Sequence, residues 1–164
     1  MKNKKASLMA GILIVSALLT GCGADPEITQ FKNDLDSFCE KVAELDEAIN
    51  AIDAEDENAT SLALGYLDKL DVEFQNFAEM DFPEEYDYLE SLADEAGAYM
   101  TESVTSYHSL YESDEYDEDT ATYARETSAR AFKRVQVILD VLQGEYTGED
   151  TSSGNADDSD VSQG

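Results

Sequence analysis

The chain has 164 residues and is strongly acidic: 38 Asp and Glu residues stand against 10 Lys and Arg, for a formal net charge of −28 at pH 7. Nucleic-acid binding depends on basic patches that displace counterions from phosphates, so this charge excludes nucleic acid as a partner. The length is that of one ordinary domain, and we therefore expect a single hydrophobic core.

The first 22 residues are organised like a bacterial secretion signal. Lysines stand at positions 2, 4 and 5, and an apolar run follows from residue 8 to residue 19. This run matches the apolar region of a signal peptide and is shorter than the roughly 20 apolar residues that a membrane-spanning helix needs. It ends in a motif that resembles the lipobox of bacterial lipoproteins, Leu19-Thr20-Gly21-Cys22.

The lipobox resemblance implies that residues 1–21 are removed as a signal peptide and that the thiol of Cys22 receives a lipid. Residues 22–25 would then form a lipidated N-terminus with a short stalk, and the protein would be extracytoplasmic and anchored to the cell membrane. A diacylglyceryl group is sufficient for stable anchoring where a single acyl chain is not. The alternative is an ordinary signal peptide in which Cys22 has no role.

The first predicted helix, residues 26–54, carries the clearest pattern in the chain. Asp25, Pro26 and Glu27 supply an N-cap, a proline at the first helical position and an acid in the first turn. Apolar residues then recur at alternating steps of three and four: Ile28, Phe31, Leu35, Phe38, Val42, Leu45, Ile49 and Ile52. This spacing predicts a helix with one buried face. The acidic stretch 55–58 should form a turn in which Asn58 caps the next helix.

Two further helices are predicted by helical spacing of apolar residues. The second, residues 59–79, has an apolar face made of Ala63, Leu67, Leu70, Phe74 and Phe77. Pro83 should open the third helix, because proline is favoured at the first helical position. This third helix should extend to about residue 111, where the acidic cluster 112–119 interrupts it.

The fourth predicted helix, residues 118–143, changes character along its length. Small residues come first on its inner face and branched residues later: Ala121, Ala124, Ser128 and Ala131, then Val135, Ile138 and Leu142. In an antiparallel hairpin the small side chains would leave room for Tyr107 and Tyr111 of the third helix. Gly144 matches a helix stop.

Short connections between long helices favour antiparallel neighbours. The predicted fold is therefore all-α: an antiparallel up-down-up-down four-helix bundle over residues 26–143. The alternative is a three-helix bundle with the second helix packed loosely across it. Residues 144–164 are expected to form a disordered acidic tail, because they contain too few apolar residues to offset the entropy of ordering.

Residues that support catalysis or metal binding are sparse. The only histidine is His108, and the chain lacks the Glu-x-x-His pairs that build di-metal sites in helical bundles. The acidic cluster 112–119 lacks the glycine and the final glutamate of an EF-hand loop. No carboxylate is expected on an apolar helix face, where burial would raise its pKa. We therefore expect no enzyme activity, no cofactor and no dedicated metal site, and we expect Cys39 to be a packing residue.

Four basic residues lie close together in the fourth predicted helix: Arg125, Arg130, Lys133 and Arg134. In the acidic chain that would remain after removal of residues 1–21, this group is the one local inversion of charge. These side chains would either pair with acids of neighbouring helices or form a contact for an acidic envelope protein or an anionic polymer. The nine tyrosines would mostly line the boundary between core and surface.

The order of parts after Cys22 resembles small uncharacterised helical lipoproteins of Gram-positive anaerobes. The resemblance rests on Phe-Lys-Asn-Asp-Leu-Asp-Ser-Phe-Cys at 31–39, Asp-Phe-Pro-Glu-Glu-Tyr at 81–86, the basic last helix and the acidic tail. It implies no catalytic residues. The sequence thus predicts a membrane-tethered, non-catalytic interaction or structural module of the cell envelope. The alternative is an accessory lipoprotein that binds a small ligand or a metal in a pocket between helices.

Overall fold

The computed structural model describes residues 25–113 and 116–144, and within these ranges the chain is helical and contains no strand. The helices are α1 (Pro26–Asn50), α2 (Ala59–Ala78), α3 (Glu90–Glu112) and α4 (Glu118–Gln143), and a short 3₁₀ turn, Asp87–Leu89, precedes α3. The predicted signal peptide, the predicted lipid attachment site Cys22 and the predicted tail beyond Gly144 lie outside the described residues.

Contacts between helices show that consecutive helices run antiparallel. As residue numbers rise along one helix, the numbers of the residues that they contact fall. From α1 onward, Phe31 contacts Phe82 and Lys41 contacts Glu73. Between α2 and α3, Asp68 contacts His108 and Asp71 contacts Thr101; between α3 and α4, Glu95 contacts Arg134 and Ser103 contacts Ala124. α3 packs most extensively on α4, α2 packs on α3, and α1 packs less extensively on α2. The predicted up-down-up-down bundle is confirmed. The alternative with a loosely packed second helix is wrong, because α2 lies between α1 and α3.

Aromatic side chains hold α1, α2 and α4 together in the core. The ring of Phe74 is fully buried, and its centroid lies 5.3 Å from that of Phe38 on α1 and 5.3 Å from that of Phe132 on α4. Phe77, one turn further along α2, stacks on Phe38 with a centroid distance of 4.5 Å. These residues belong to the predicted apolar faces of the first two helices, with Phe132 added from the fourth.

α1 begins as predicted and ends four residues early. The carboxylate of Asp25 accepts a hydrogen bond from the amide of Glu27 at 3.0 Å, which confirms the predicted N-cap. The helix ends at Asn50 rather than at residue 54. The carboxylates of Asp53 and Asp56 accept bonds from backbone amides two residues ahead, and such local bonds compete with helix continuation.

Two predicted details of the next helix starts are wrong. The side chain of Asn58 makes no capping bond to α2; its backbone N–H and its side-chain amide group instead both donate to the carboxylate of Asp56. Pro83 does not open α3, which begins at Glu90. The carbonyl of Pro83 instead accepts the amide of Tyr86 at 2.7 Å in a turn, and the rings of Phe82 and Tyr86 pack on Phe31. The chain therefore passes the N-terminal part of α1 before the third helix starts.

Small side chains bring α3 and α4 close together. Ala121, Ala124 and Ala131 are buried, and the hydroxyl of Ser103 donates a 2.8 Å bond to the carbonyl of Ala124 across the interface. Tyr107 is buried as predicted, whereas Tyr111 stacks beside it at 6.5 Å and stays partly exposed. Gly144 ends α4 with a φ of 75°, a conformation that favours glycine.

Candidate functional site

The four basic residues of α4 fall into two classes. Arg134 places Nε 2.5 Å from Glu95 Oε2 of α3, and its guanidinium lies 5.8 Å from the centre of the Tyr99 ring. Arg125 donates to the side chains of Glu118 at 3.3 Å and Thr122 at 3.0 Å on its own helix. These two arginines are therefore held by neighbours within the bundle.

Arg130 and Lys133 are the other class, and we call them the α4 cation pair. Both side chains are exposed, and neither forms an ion pair with any residue in 25–113 or 116–144. Glu126 precedes Arg130 by one helical turn, but the two side chains form no ion pair. The α4 cation pair is thus an exposed positive surface on an acidic bundle.

A tyrosine lies beside the α4 cation pair. The Tyr123 hydroxyl donates to Glu102 of α3, and this bond raises the pKa of the phenol while the charge of Arg130 lowers it to a smaller extent. The Tyr123 side chain is 43% exposed, and Tyr88 and Tyr116 are more exposed still. Some of the tyrosines that were predicted to line the boundary between core and surface therefore lie on the open surface.

His108 connects α3 to α2 through two carboxylates. Its Nε2 lies 2.6 Å from Asp68 Oδ1 of α2, and its Nδ1 lies 3.4 Å from Glu112 Oε1, one turn later on α3. The bond to Asp68 is the largest cause of a raised His108 pKa, partial burial opposes it, and Glu112 adds to it. When the imidazole is protonated, both ring nitrogens donate to carboxylates.

We expect this contact to stabilise the bundle in a pH-dependent way. Because the folded-state pKa of His108 is raised above its ordinary value, its contribution is fully present below about pH 6.5 and is lost as the pH rises through the raised pKa. The contribution should stay below about 1 kcal/mol, since both partners are solvent-exposed. Urea unfolding of wild type and His108→Gln between pH 6 and pH 9 should give curves that converge at high pH. A constant difference would contradict the prediction.

Three buried or half-buried polar groups belong to the core rather than to a reactive site. Cys39 is buried, and desolvation raises the pKa of its thiol to about 11, as expected for a packing residue. Thr127 is fully buried within α4. Asp46 follows Val42 by one turn on the buried face of α1, and burial raises its pKa. The prediction that no carboxylate stands on an apolar face is wrong at this position.

A groove lies along the outer junction of α1 and α2, and we call it the α1–α2 groove. Its volume is about 640 Å³. Its lining combines five carboxylates with one lysine, three phenylalanines and a methionine: Glu27, Asp34, Glu73, Glu79 and Asp81, then Lys41, Phe31, Phe38, Phe77 and Met80. Lys41 Nζ spans the groove to Glu73 Oε2 at 3.1 Å.

Residues 25–113 and 116–144 also bear on metal binding. No group of three or more His, Cys, Asp or Glu side chains there is arranged to hold a metal ion. The acidic cluster 112–119 falls partly outside the described residues, since 114 and 115 are not included. Among the helices the structure describes, none combines the length and apolarity that crossing a membrane requires.

No protein-family model, curated protein or solved structure matches this chain. The functional argument therefore rests on the surfaces described above. Sequence reasoning found all four basic residues of α4 but not that only Arg130 and Lys133 are unpaired. It also missed the contact of His108 with Asp68, 40 positions away in the chain, and the α1–α2 groove. Both depend on which helix faces lie side by side.

Proposed function

We propose that this protein is a membrane-tethered extracytoplasmic lipoprotein that acts as a non-catalytic interaction module of the cell envelope. The observation that carries the proposal is the α4 cation pair, exposed and without an ion pair among the described residues. The partner is an anionic envelope component that contacts α4. Cys22 carries the lipid and the helical bundle presents the contact surface.

The acidity of the bundle is compatible with an anionic partner. At physiological salt, interactions between exposed charges are largely screened beyond about 8 Å. A partner that touches α4 therefore responds mainly to the charges of that face, Arg130 and Lys133 together with Glu126, while acids on the other faces are screened from it. Complementary charges of this kind contribute more to association rate and specificity than to affinity.

The antiparallel topology supports a particular orientation for the tethered bundle. α1 starts four residues after Cys22, so the beginning of α1 is the membrane-proximal end. The start of α3 and the end of α4 lie at this same end, and the α1–α2 connection lies at the opposite end. Arg130 and Lys133 occupy the middle of α4, where they face sideways along the membrane rather than towards it.

The lipid anchor is tested by mass and fractionation. In a bacterial host, we expect the wild-type chain to be recovered in the membrane fraction, to begin at Cys22 and to carry a lipid-sized mass increment. The variant Cys22→Ser should lack the increment and leave the membrane fraction. As a control, Cys39→Ser should behave like wild type in both measurements, because Cys39 is buried in α1. A soluble, unmodified wild-type chain would remove the tether from the proposal.

The contact surface is tested by crosslinking in intact cells. We expect Arg130→Glu combined with Lys133→Glu to reduce the yield of the main crosslinked species by about fivefold, since each exposed charge pair contributes less than about 1 kcal/mol. The matched control is Lys32→Glu combined with Lys69→Glu, which changes the net charge equally on α1 and α2. Equal yields for the two double variants would show that overall charge, and not α4, determines the contact.

A second function is favoured by the α1–α2 groove. A groove with charged and apolar lining is the kind of feature that a small-ligand accessory lipoprotein requires. This alternative does not involve the α4 cation pair, because none of the groove residues belongs to α4.

A further inference from the structure

We infer that the α1–α2 groove binds a small organic cation in which ammonium groups are carried on an apolar chain, as in alkyl polyamines. The inference rests on the second function above, for which it names the class of ligand, and it concerns another face of the bundle from the α4 cation pair. It rests on three properties of the groove: its charge, its apolar lining and its size.

The carboxylates of the groove are mostly without cationic partners. Of the five, only Glu73 forms an ion pair with a lysine or arginine among the described residues, namely with Lys41. Asp34 accepts a bond from Gln30 at 2.8 Å, which leaves its charge in place. Like charges that line one concave surface add their potentials, so the groove concentrates cations.

The apolar lining distinguishes the expected ligand from a simple metal ion. Phe31, Phe38 and Phe77 lie beneath the groove and are at most 5% exposed, while Met80 is partly exposed. Of these four side chains, Met80 is therefore the one that methylene groups of a ligand can contact. Carboxylates along the groove and apolar atoms in its floor match a chain of methylenes that bears separated ammonium groups.

The size of the groove favours a small molecule. Its volume of about 640 Å³ lies within the range of roughly 300–1,000 Å³ that is typical of small-ligand sites. The ion pair between Lys41 on α1 and Glu73 on α2 interrupts the lining, whereas a basic protein helix would need a longer uninterrupted channel.

Calorimetry with spermidine tests the inference on the full chain in non-ionic detergent. We expect saturable binding of one spermidine per chain, no binding of uncharged 1,8-octanediol, and weaker binding of Mg²⁺, which carries charge but no methylene chain. Binding of the diol as tight as that of spermidine, or heat that never saturates, would overturn the inference. So would saturable binding of an oligolysine peptide without binding of spermidine, which would point to a macromolecular partner.

Isosteric variants separate the groove from overall charge. Glu27→Gln combined with Glu79→Gln removes two groove carboxylates and should weaken spermidine binding by about fivefold. Glu55→Gln combined with Glu57→Gln removes the same charge from the α1–α2 connection at the other end of the bundle and should leave affinity within about twofold. Equal weakening by both pairs would mean that spermidine samples the general field of the protein, and the groove would be excluded as its site.

A substitution that strengthens binding provides an independent check. Lys41→Met removes the only cation of the groove and frees Glu73, so we expect spermidine to bind about threefold more tightly. Lys69→Met removes the same charge from α2 outside the groove, where Lys69 lies over the Tyr66 ring. The inference requires a gain for the first variant that clearly exceeds the gain for the second. None of these variants alters Arg130, Lys133 or Cys22, so failure here leaves the proposed function intact.

Discussion

Gly97→Leu is expected to destabilise the bundle by about 3 kcal/mol, because α3 approaches α2 too closely for a side chain at this position. A Cβ atom added at Gly97 would lie 3.0 Å from the Cβ of Ala78, 3.2 Å from Nε2 of Gln75 and 3.4 Å from the carbonyl oxygen of Phe74. The shortest of these contacts is to another Cβ, which is fixed to the backbone and cannot rotate away. Gln75 also donates to the Gly97 carbonyl at 3.0 Å, and this bond would be disturbed as well.

Gly65 provides the matched control on α2. A Cβ at Gly65 meets nothing within 4 Å, so Gly65→Ala should stabilise the bundle by about 0.5–1 kcal/mol through helix propensity alone. Urea-induced unfolding followed by circular dichroism measures both changes. If Gly97→Leu left the free energy of unfolding unchanged, the close packing of α2 against α3 would be wrong.

Phe74→Ala is expected to cost about 4 kcal/mol, since it removes a large, fully buried ring and leaves a cavity. The ring touches Phe38 on α1 and Phe132 on α4, so its loss loosens contacts of two helices at once. A typical domain is stable by only about 5–15 kcal/mol, and this variant would be close to unfolding.

Val72→Ala is the control for the loss of core packing. Val72 lies two positions earlier on the same helix but is 56% exposed, so the change in the free energy of unfolding should stay within about 0.5 kcal/mol. Both variants are compared by thermal and urea unfolding. A loss of less than about 1 kcal/mol for Phe74→Ala would contradict the position of its ring at the centre of the core.

The helices were predictable because most apolar residues repeat with helical spacing. The sequence predicted the start of α1 at Pro26 through its capping residue, and it predicted the end of α4 at Gly144. It failed at Asn58 and Pro83, where an acidic turn and an aromatic cluster override the local preference of a single residue. The acidic turn and the aromatic cluster act through contacts between side chains, and the spacing of residues along the sequence does not reveal such contacts.

The candidate sites were predictable only in part, for a similar reason. The charges of Arg130 and Lys133 are visible in the sequence. That they lack ion-pair partners among the described residues is not, because Glu95 and Glu118 lie beside Arg134 and Arg125 only once the helices are packed. The sequence gives no sign that Asp46 is partly buried, because the apolar repeat of α1 passes through Leu45 and Ile49 and not through position 46. Its partial burial became apparent only once α1 was packed.

The unequal packing of the four helices has a mechanical consequence for a tethered protein. α1 is the helix joined to the proposed anchor, and it rests chiefly on α2, whereas α3 and α4 share the most extensive interface. A force that separates the membrane from a partner bound to α4 would act first on α1. α1 would then separate from α2 while the hairpin of α3 and α4 stayed folded. The protein would therefore extend under tension before it released its partner.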